Sequence, residues 1–443
     1  MKSALNLILL LSFVIYLSCQ SESEKPSMKA TIFSDEITIG NDTRKLYVEF
    51  NEENLGNIRW GIENSGRHRI PFINQKFDDQ TKSFHGDLAF FGNQSSGSIS
   101  FQIKEDAAIG KMIWGKDTLD INLKRSSRNL TYVEENISFK NDNTELKGTL
   151  ILPKKAEKKS PLIVFISGSG CSTRWWGLYW AKELSKIGVA SLLYDKRGCG
   201  ESIGKSWTNS SLDDLAMDVI SGIQALEKHP KIDQEKIGLY GVSQGGWIEG
   251  RVNGITGKNY FMIVNSGGGV SPYDEEVFSY DIYMKYRGID KKGLKEGNDL
   301  VIRYLDYMAT GKNRSELIQS MEANKNKKWF PLLGLDKVLV SEKNRKNWEW
   351  IATYKPKEDI RKIKAPVLVM LGGQDYHQPT EVSSKKWKEA LEAAENENFV
   401  IKIFQEASHG LTVGGHHSSG FPKYANGHLE LMKEFILESV LKK

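Results

Sequence analysis

Two hydrophobic periodicities divide this chain. From about Lys29 to Arg128, short runs alternate polar and apolar residues and are punctuated by Gly, Asn and Asp. Examples are Ala30-Thr31-Ile32-Phe33, Lys45-Leu46-Tyr47-Val48-Glu49-Phe50, Ile58-Arg59-Trp60-Gly61-Ile62 and Ser98-Ile99-Ser100-Phe101-Gln102-Ile103. Successive side chains of a strand face opposite sides, so a period of two means one buried face and one wet face. The pattern predicts a β-rich accessory domain over 29–130, antiparallel and sandwich-like. Beyond it the apolar runs become nearly continuous: Leu162 to Ile166, Val189 to Tyr194, Lys236 to Tyr240, Tyr260 to Val264, Ala365 to Leu371 and Phe399 to Phe404. Runs of that kind bury both faces, as the central strands of a parallel sheet do.

Helical spacing lies between these runs. Trp180 to Ile187 reads as one helix. A second starts at Ser211, an N-cap with Asp214 three residues on, shows Leu215, Val219, Ile223 and Leu226 on one face, and stops by Pro230. Alternating strand and helix predicts an α/β fold with a mostly parallel central sheet over 131–443. It opens with a hairpin, Tyr132 to Phe139 and Leu146 to Leu152, around Asn141-Asp142-Asn143. The alternation lapses between Ser271 and Lys364, a stretch rich in Lys, Tyr and helix formers. A helical insertion over about 271–364 is expected there.

The chemistry is carried by Gly241-Val242-Ser243-Gln244-Gly245. With 40 Gly in the chain a bare G-x-S-x-G can arise by chance; its setting between an apolar strand and a helical run is the informative part. A serine on a sharp strand-to-helix turn is pushed out of the sheet, where a base and a substrate can reach it. The glycines let the helix pack close to its neighbours. Serine is a weak nucleophile until a base takes its proton, and the base needs an orienting carboxylate. Both follow in the chain order Ser, Asp, His. Asp375 lies just past the strand ending at Leu371, and His409 on the loop after Phe399 to Phe404. Strand carboxyl ends are where open parallel sheets place their chemistry. His416, His417 and His428 follow no strand run, while His377 stands beside Asp375 as a pocket residue.

These segments resemble the α/β-hydrolase superfamily, in its serine-esterase and serine-peptidase-like branch. Tyr194-Asp195-Lys196-Arg197-Gly198-Cys199-Gly200-Glu201-Ser202 is similar to that family's D-x-R-G-x-G-x-S turn, and Ile166-Ser167-Gly168-Ser169-Gly170 to its His-Gly-Ser-Gly oxyanion loop, with Ser167 in place of the histidine. The resemblance covers roughly 131–443. It implies an oxyanion hole built from the backbone N–H groups of Ser169 and Gln244, indifferent to the Ser167 side chain. It implies a lid that shapes the acyl or leaving-group pocket. Asp195 and Arg197 are expected to brace their turn rather than meet substrate.

The remaining composition narrows the partners. A net charge of +5 spread over 443 residues gives no basic patch for nucleic acid. The 11 Trp and 16 Tyr suit core packing first and carbohydrate or acyl pockets second. No Cys/His cluster has zinc spacing, so neither metal nor cofactor is expected. Met1-Lys2, the apolar stretch Leu5 to Leu17 and Leu17-Ser18-Cys19 read as a signal peptide over 1–19 with a lipobox-like Cys19, followed by a polar tether over 20–28. An exported protein is expected, periplasmic or anchored to the outer membrane through lipid on Cys19. Of the 3 Cys, Cys171 and Cys199 remain. An oxidising compartment allows them to pair, but without evidence of proximity two unpaired residues are expected. The expected function is a serine esterase cleaving small acyl or carbohydrate esters through an acyl-enzyme on Ser243. The alternatives are a peptidase or amidase of the same branch, and a surface-anchored binding protein on a hydrolase scaffold.

Overall fold

The computed structural model describes residues 30–39, 42–51, 54–63, 65, 67–89, 95–126, 130–335, 342–413 and 423–442. The expected signal peptide with Cys19, the tether and the His416-His417 pair lie outside the described residues.

The N-terminal strands are β1 (Ala30–Ile39), β2 (Asp42–Asn51), β3 (Asn54–Ile62), β4 (Arg67–Pro71), β5 (Ile73–Asp78), β6 (Ser83–Ala89), β7 (Ser95–Lys104), β8 (Ala107–Trp114) and β9 (Asp117–Ser126). They form one nine-stranded sheet in the order β4-β3-β2-β1-β9-β8-β7-β6-β5. Its two edge strands, β4 and β5, are separated in the chain by Phe72 alone. Connectivity therefore brings the edges together, and the sheet curls around its own core. This corrects the sandwich expectation: each strand pairs with its neighbours in a single meander rather than splitting into two facing sheets. Trp60, Phe72, Phe84, Leu88, Phe101 and Met112 fill the interior. The Phe72 ring lies 4.8 Å from Phe84 and 6.4 Å from Trp60. Alternation survives on the strands, as on β8, where Ala108, Met112 and Trp114 point inward and Ile109, Lys111 and Ile113 outward.

The second sheet contains β10 (Tyr132–Asn141), β11 (Thr144–Pro153), β12 (Ser160–Ile166), β13 (Ala190–Tyr194), β14 (Ile232–Val242), β15 (Phe261–Asn265), β16 (Val367–Gly372) and β17 (Phe399–Phe404). Its order is β10-β11-β13-β12-β14-β15-β16-β17. The β10–β11 and β11–β13 pairs are antiparallel; every other pair is parallel. β12, β13, β15 and β16 are buried along their whole length.

Helix α1 (Leu178–Ser185) begins two residues before the expected start, after a short 3-10 turn at Arg174–Gly177. Helix α2 (Leu212–Ala225) has a complete capping box. The Asp214 N–H donates to the Ser211 hydroxyl at 3.1 Å, and the Ser211 N–H to the Asp214 carboxylate at 2.7 Å. Helix α3 (Gln244–Thr256) follows the G-x-S-x-G turn. The stretch without strands contains α4 (Pro272–Tyr286), capped by Ser271, and α5 (Lys291–Thr310), among further helices.

The two sheets meet around Arg69 on β4. Its guanidinium grips Glu134 of β10 through two bonds of 2.8 and 3.0 Å, reaches Glu49 of β2 at 3.2 Å, and lies 4.4 Å over the Trp175 ring.

Candidate active site

Ser243 occupies the turn between β14 and α3 with φ 54° and ψ −119°. A non-glycine residue there stores roughly 1–3 kcal/mol of strain, held by its surroundings. The Ser243 N–H donates to the Asn265 carbonyl at 2.9 Å, and the Gly246 N–H to the Ser243 carbonyl at 2.8 Å. Glycine is required at the tightest approaches: a Cβ on Gly245 would stand 2.4 Å from the Ile166 carbonyl oxygen, and one on Gly267 2.2 Å from that of Ser243.

Asp375 follows β16 and His409 follows β17. The His409 Nδ1 lies 2.9 Å from Asp375 Oδ2 and 3.1 Å from Oδ1. The carboxylate also accepts from the His377 N–H at 2.8 Å and the Gln378 N–H at 3.2 Å. Burial pushes the Asp375 pKa up; His409 and the His377 N–H outweigh it and leave the carboxyl below its ordinary value. A charged Asp375 on Nδ1 fixes the imidazole with Nε2 free to take a proton. The Ser243 backbone is tied to Asn265, and the Gly410 N–H beside His409 donates to the next hydroxyl, Ser266 Oγ, at 3.0 Å. The end of β15 thus fixes Ser243 on one side and His409 on the other. The hydroxyl–imidazole hydrogen bond itself is not formed among the described residues; in the absence of substrate such contacts are often loose and tighten in the complex.

His377 packs edge-on against His409 with ring centroids 4.6 Å apart, and its Nδ1 is 3.3 Å from the Ser279 hydroxyl of α4. Burial, reinforced by His409, lowers its pKa to about 3, so it is neutral near pH 7. His428 is buried and structural: it accepts from Trp180 Nε1 at 3.3 Å, and its Nδ1 faces the Ala425 carbonyl at 2.7 Å.

The loop after β12 lies over Ser243. A Cβ on Gly168 would stand 3.2 Å from Ser243 Cβ and 3.8 Å from its hydroxyl oxygen. Ser169 is the next residue of this loop. Gln244, the first residue of α3, carries an N–H with no helical acceptor. The loop is also covalently pinned, because Cys171 and Cys199 form a disulfide with Cα atoms 5.6 Å apart. This corrects the expectation of two unpaired cysteines: parallel β12 and adjacent β13 end on the same rim and bring the two loops together. In the turn after β13, the Asp195 carboxylate accepts the Arg174 N–H and guanidinium, each at 2.7 Å, and the Glu201 N–H at 3.0 Å. Arg197 grips Asp218 of α2 at 2.6 and 2.7 Å. Both side chains brace the structure.

Two functional-site neighbours escaped sequence reasoning. Lys196, the variable position of its motif, is buried; its Nζ donates to the Gly168 carbonyl at 2.7 Å and to Gln244 Oε1 at 2.6 Å. Burial lowers its pKa to about 7. Glu249 on α3 is fully buried beneath the turn, and neither carboxyl oxygen has a hydrogen-bond partner among the described residues. No local pattern marks either: each is a single charged residue made notable only by burial. Among the described residues no group of three or more His, Cys, Asp or Glu is arranged to hold a metal.

A serine on a strained strand-to-helix turn, at the same carboxyl rim of a mostly parallel sheet as an Asp-oriented histidine, defines the class: a serine hydrolase with the α/β-hydrolase fold. Within it, the chain belongs to the X-Pro dipeptidyl-peptidase (S15) family, whose pattern matches residues 142–410, more than half of the chain. An uncharacterized 31.7 kDa protein from the traX-finO intergenic region of Escherichia coli is 26% identical over 243 residues, which make up 50% of this chain and 75% of that protein. Thiohydrolase aneE of Aspergillus aculeatus is 33% identical over 106 residues, 24% of this chain and only 32% of that protein. Among solved structures, the Pyrococcus furiosus esterase Pf2001 superposes with a TM-score of 0.46 at 16% identity, covering 71% of this chain and 96% of its own.

Proposed function

We propose that this protein hydrolyses carboxylic esters through an acyl-enzyme on Ser243. His409 takes the hydroxyl proton as Ser243 attacks the acyl carbon, and Asp375 holds the imidazole and stabilises its charged form. The Ser169 and Gln244 N–H groups receive the oxyanion. His409 returns the proton to the leaving alcohol, and water then releases the acid by the same path. The observation that carries this reading is the contact of His409 Nδ1 with both Asp375 oxygens at the rim where the Ser243 turn emerges. Substrates are small acyl or carbohydrate esters, and no cofactor takes part.

A second reading, peptide-bond cleavage, is favoured by the family match. The same nucleophile would release an amine in place of an alcohol. A fluorophosphonate probe tests the common core: Ser243 is labelled in the wild type and labelling is lost in Ser243→Ala. Labelling that persists in the variant refutes the assignment. A paired screen of p-nitrophenyl esters and aminoacyl-prolyl anilides divides the readings, with faster turnover of the esters expected.

Export and lipid attachment at Cys19 belong to the same proposal and rest on the sequence of 1–19. Radiolabelled palmitate should enter the wild-type precursor in cells and not Cys19→Ala.

A further inference from the structure

Lys196 is 3% exposed. An ammonium has three N–H bonds to satisfy. Here two go to the Gly168 carbonyl and Gln244 Oε1, and the Nζ stands 5.3 Å from the Trp207 ring centroid, where the electron-rich face favours a cation. No carboxylate forms an ion pair with it among the described residues; Asp218 acts only at a distance and is already held by Arg197. A buried lysine without a counter-ion is costly and calls for a reason.

Its two acceptors supply one. Gly168 is the residue before Ser169, and Gln244 follows Ser243. In a trans peptide the C=O and N–H point in opposite directions. A bond that fixes the Gly168 carbonyl toward Lys196 therefore turns the Ser169 N–H away from it. Gly168 itself lies against Ser243. The same amine anchors the Gln244 side chain and so fixes the first residue of α3. The backbone of Lys196 adds a third tie: its N–H donates to the Ser172 carbonyl at 3.0 Å, farther along the same loop. The Cys171–Cys199 bond joins that loop to the Lys196 turn covalently.

We propose that Lys196 is the positioning residue of the oxyanion hole, one buried amine that aims the Ser169 and Gln244 N–H groups at the acyl oxygen. This rests on the acyl-enzyme reading above. Lys196 touches no reacting atom. It acts through the two backbone donors by fixing their direction and by polarising the Gly168–Ser169 peptide, in a buried site where hydrogen bonds are strengthened.

The test compares wild type, Lys196→Met, Gln244→Met and the double variant, using p-nitrophenyl acetate and a fluorophosphonate. Removing one oxyanion donor typically costs 10²–10³ in turnover, and misdirecting donors that remain should cost about 10–100-fold. Lys196→Met is therefore expected to lower kcat by that amount, leave KM within about threefold, and slow phosphonylation of Ser243 in parallel. Gln244→Met keeps its backbone N–H and should lose less, about tenfold in kcat; the double variant should lose no more than Lys196→Met, because the two side chains act as one unit. A Lys196→Met enzyme with unchanged kcat, or with its loss confined to KM, overturns the inference. If Lys196→Met does not fold, an unchanged kcat in Gln244→Met does the same. A wild type that the fluorophosphonate fails to label refutes the acyl-enzyme reading instead, so the two failures are told apart.

Discussion

The two sheets of this molecule use the same backbone bonding to opposite ends. In the nine-stranded meander each strand runs against its neighbours, so consecutive strand ends fall on alternating rims, and its polar–apolar alternation fills a core. In the second sheet β12, β14, β15, β16 and β17 run parallel, and their carboxyl ends reach one rim. Loops that are distant in sequence therefore converge: 167–172, 243–244, 266–267, 373–378 and 405–411. Strand direction, more than residue content, decides which sheet can assemble a site.

The sharpest way to break this contrast is Ser243→Ala. It should cut ester turnover by about 10⁶-fold while leaving the melting temperature near that of the wild type, because Ala keeps the Cβ and backbone of the turn. Any single substitution in the N-terminal meander that abolished turnover without unfolding the protein would show that the contrast is drawn in the wrong place. Asp375→Asn should cost about 10⁴-fold, because an amide facing Nδ1 favours the wrong imidazole tautomer. Turnover of Asp375→Asn within tenfold of the wild type would remove Asp375 from the site.

Most of the contrast is readable in the sequence because each sheet type leaves its own period. Ile99, Phe101 and Ile103 alternate with polar residues, whereas Leu162 to Ile166 do not. Ser243, Asp375 and His409 are legible as candidates for the same reason: each lies on the loop after a recognisable strand. Three features are not. Closure of the meander depends on β4 and β5 flanking Phe72, which shows only once the strand order is known. The Cys171–Cys199 bond depends on β12 and β13 being neighbours. Lys196 and Glu249 depend on burial, and a single charged residue has no periodicity to betray it.

The junction between the sheets gives a smaller effect and sharpens the division of labour. Arg69 links β4 to Glu134 and covers Trp175, which lies just beyond the loop after β12. Arg69→Met leaves the partly buried Glu134 without the Arg69 cation and removes one of the interactions of Glu49. Breaking a fully buried pair costs 3–5 kcal/mol, and partial exposure should reduce this to about 2 kcal/mol. Chemical denaturation should show the loss, and kcat should stay within about threefold of the wild type. If kcat fell a hundredfold at unchanged KM, the meander would be a working part of the site through Trp175.

The smallest expected effect concerns a residue that the parallel sheet tolerates at its own cost. Glu249 sits 0% exposed under the Ser243 turn, against Gly241, whose N–H approaches the carboxyl but does not complete a well-formed hydrogen bond to either oxygen. Burial raises its pKa well above 4.5, and the nearby Gly241 N–H offsets only part of that. The folded state therefore holds a proton that the unfolded chain releases. Below the unfolded pKa both states are protonated and the group costs nothing through ionisation. As pH rises past that value the unfolded state is progressively favoured, until the folded pKa is reached. Gln has nearly the same shape and never ionises. Glu249→Gln should thus raise the melting temperature by a few degrees at about pH 8, and the gain should shrink toward zero at about pH 4. The pH dependence of the gain is the decisive measurement, because altered packing alone would shift stability equally at both values. A gain that grew on acidification would mean that Glu249 is held as a carboxylate by a partner, and the strained turn would then rest on a buried charge in place of a buried acid.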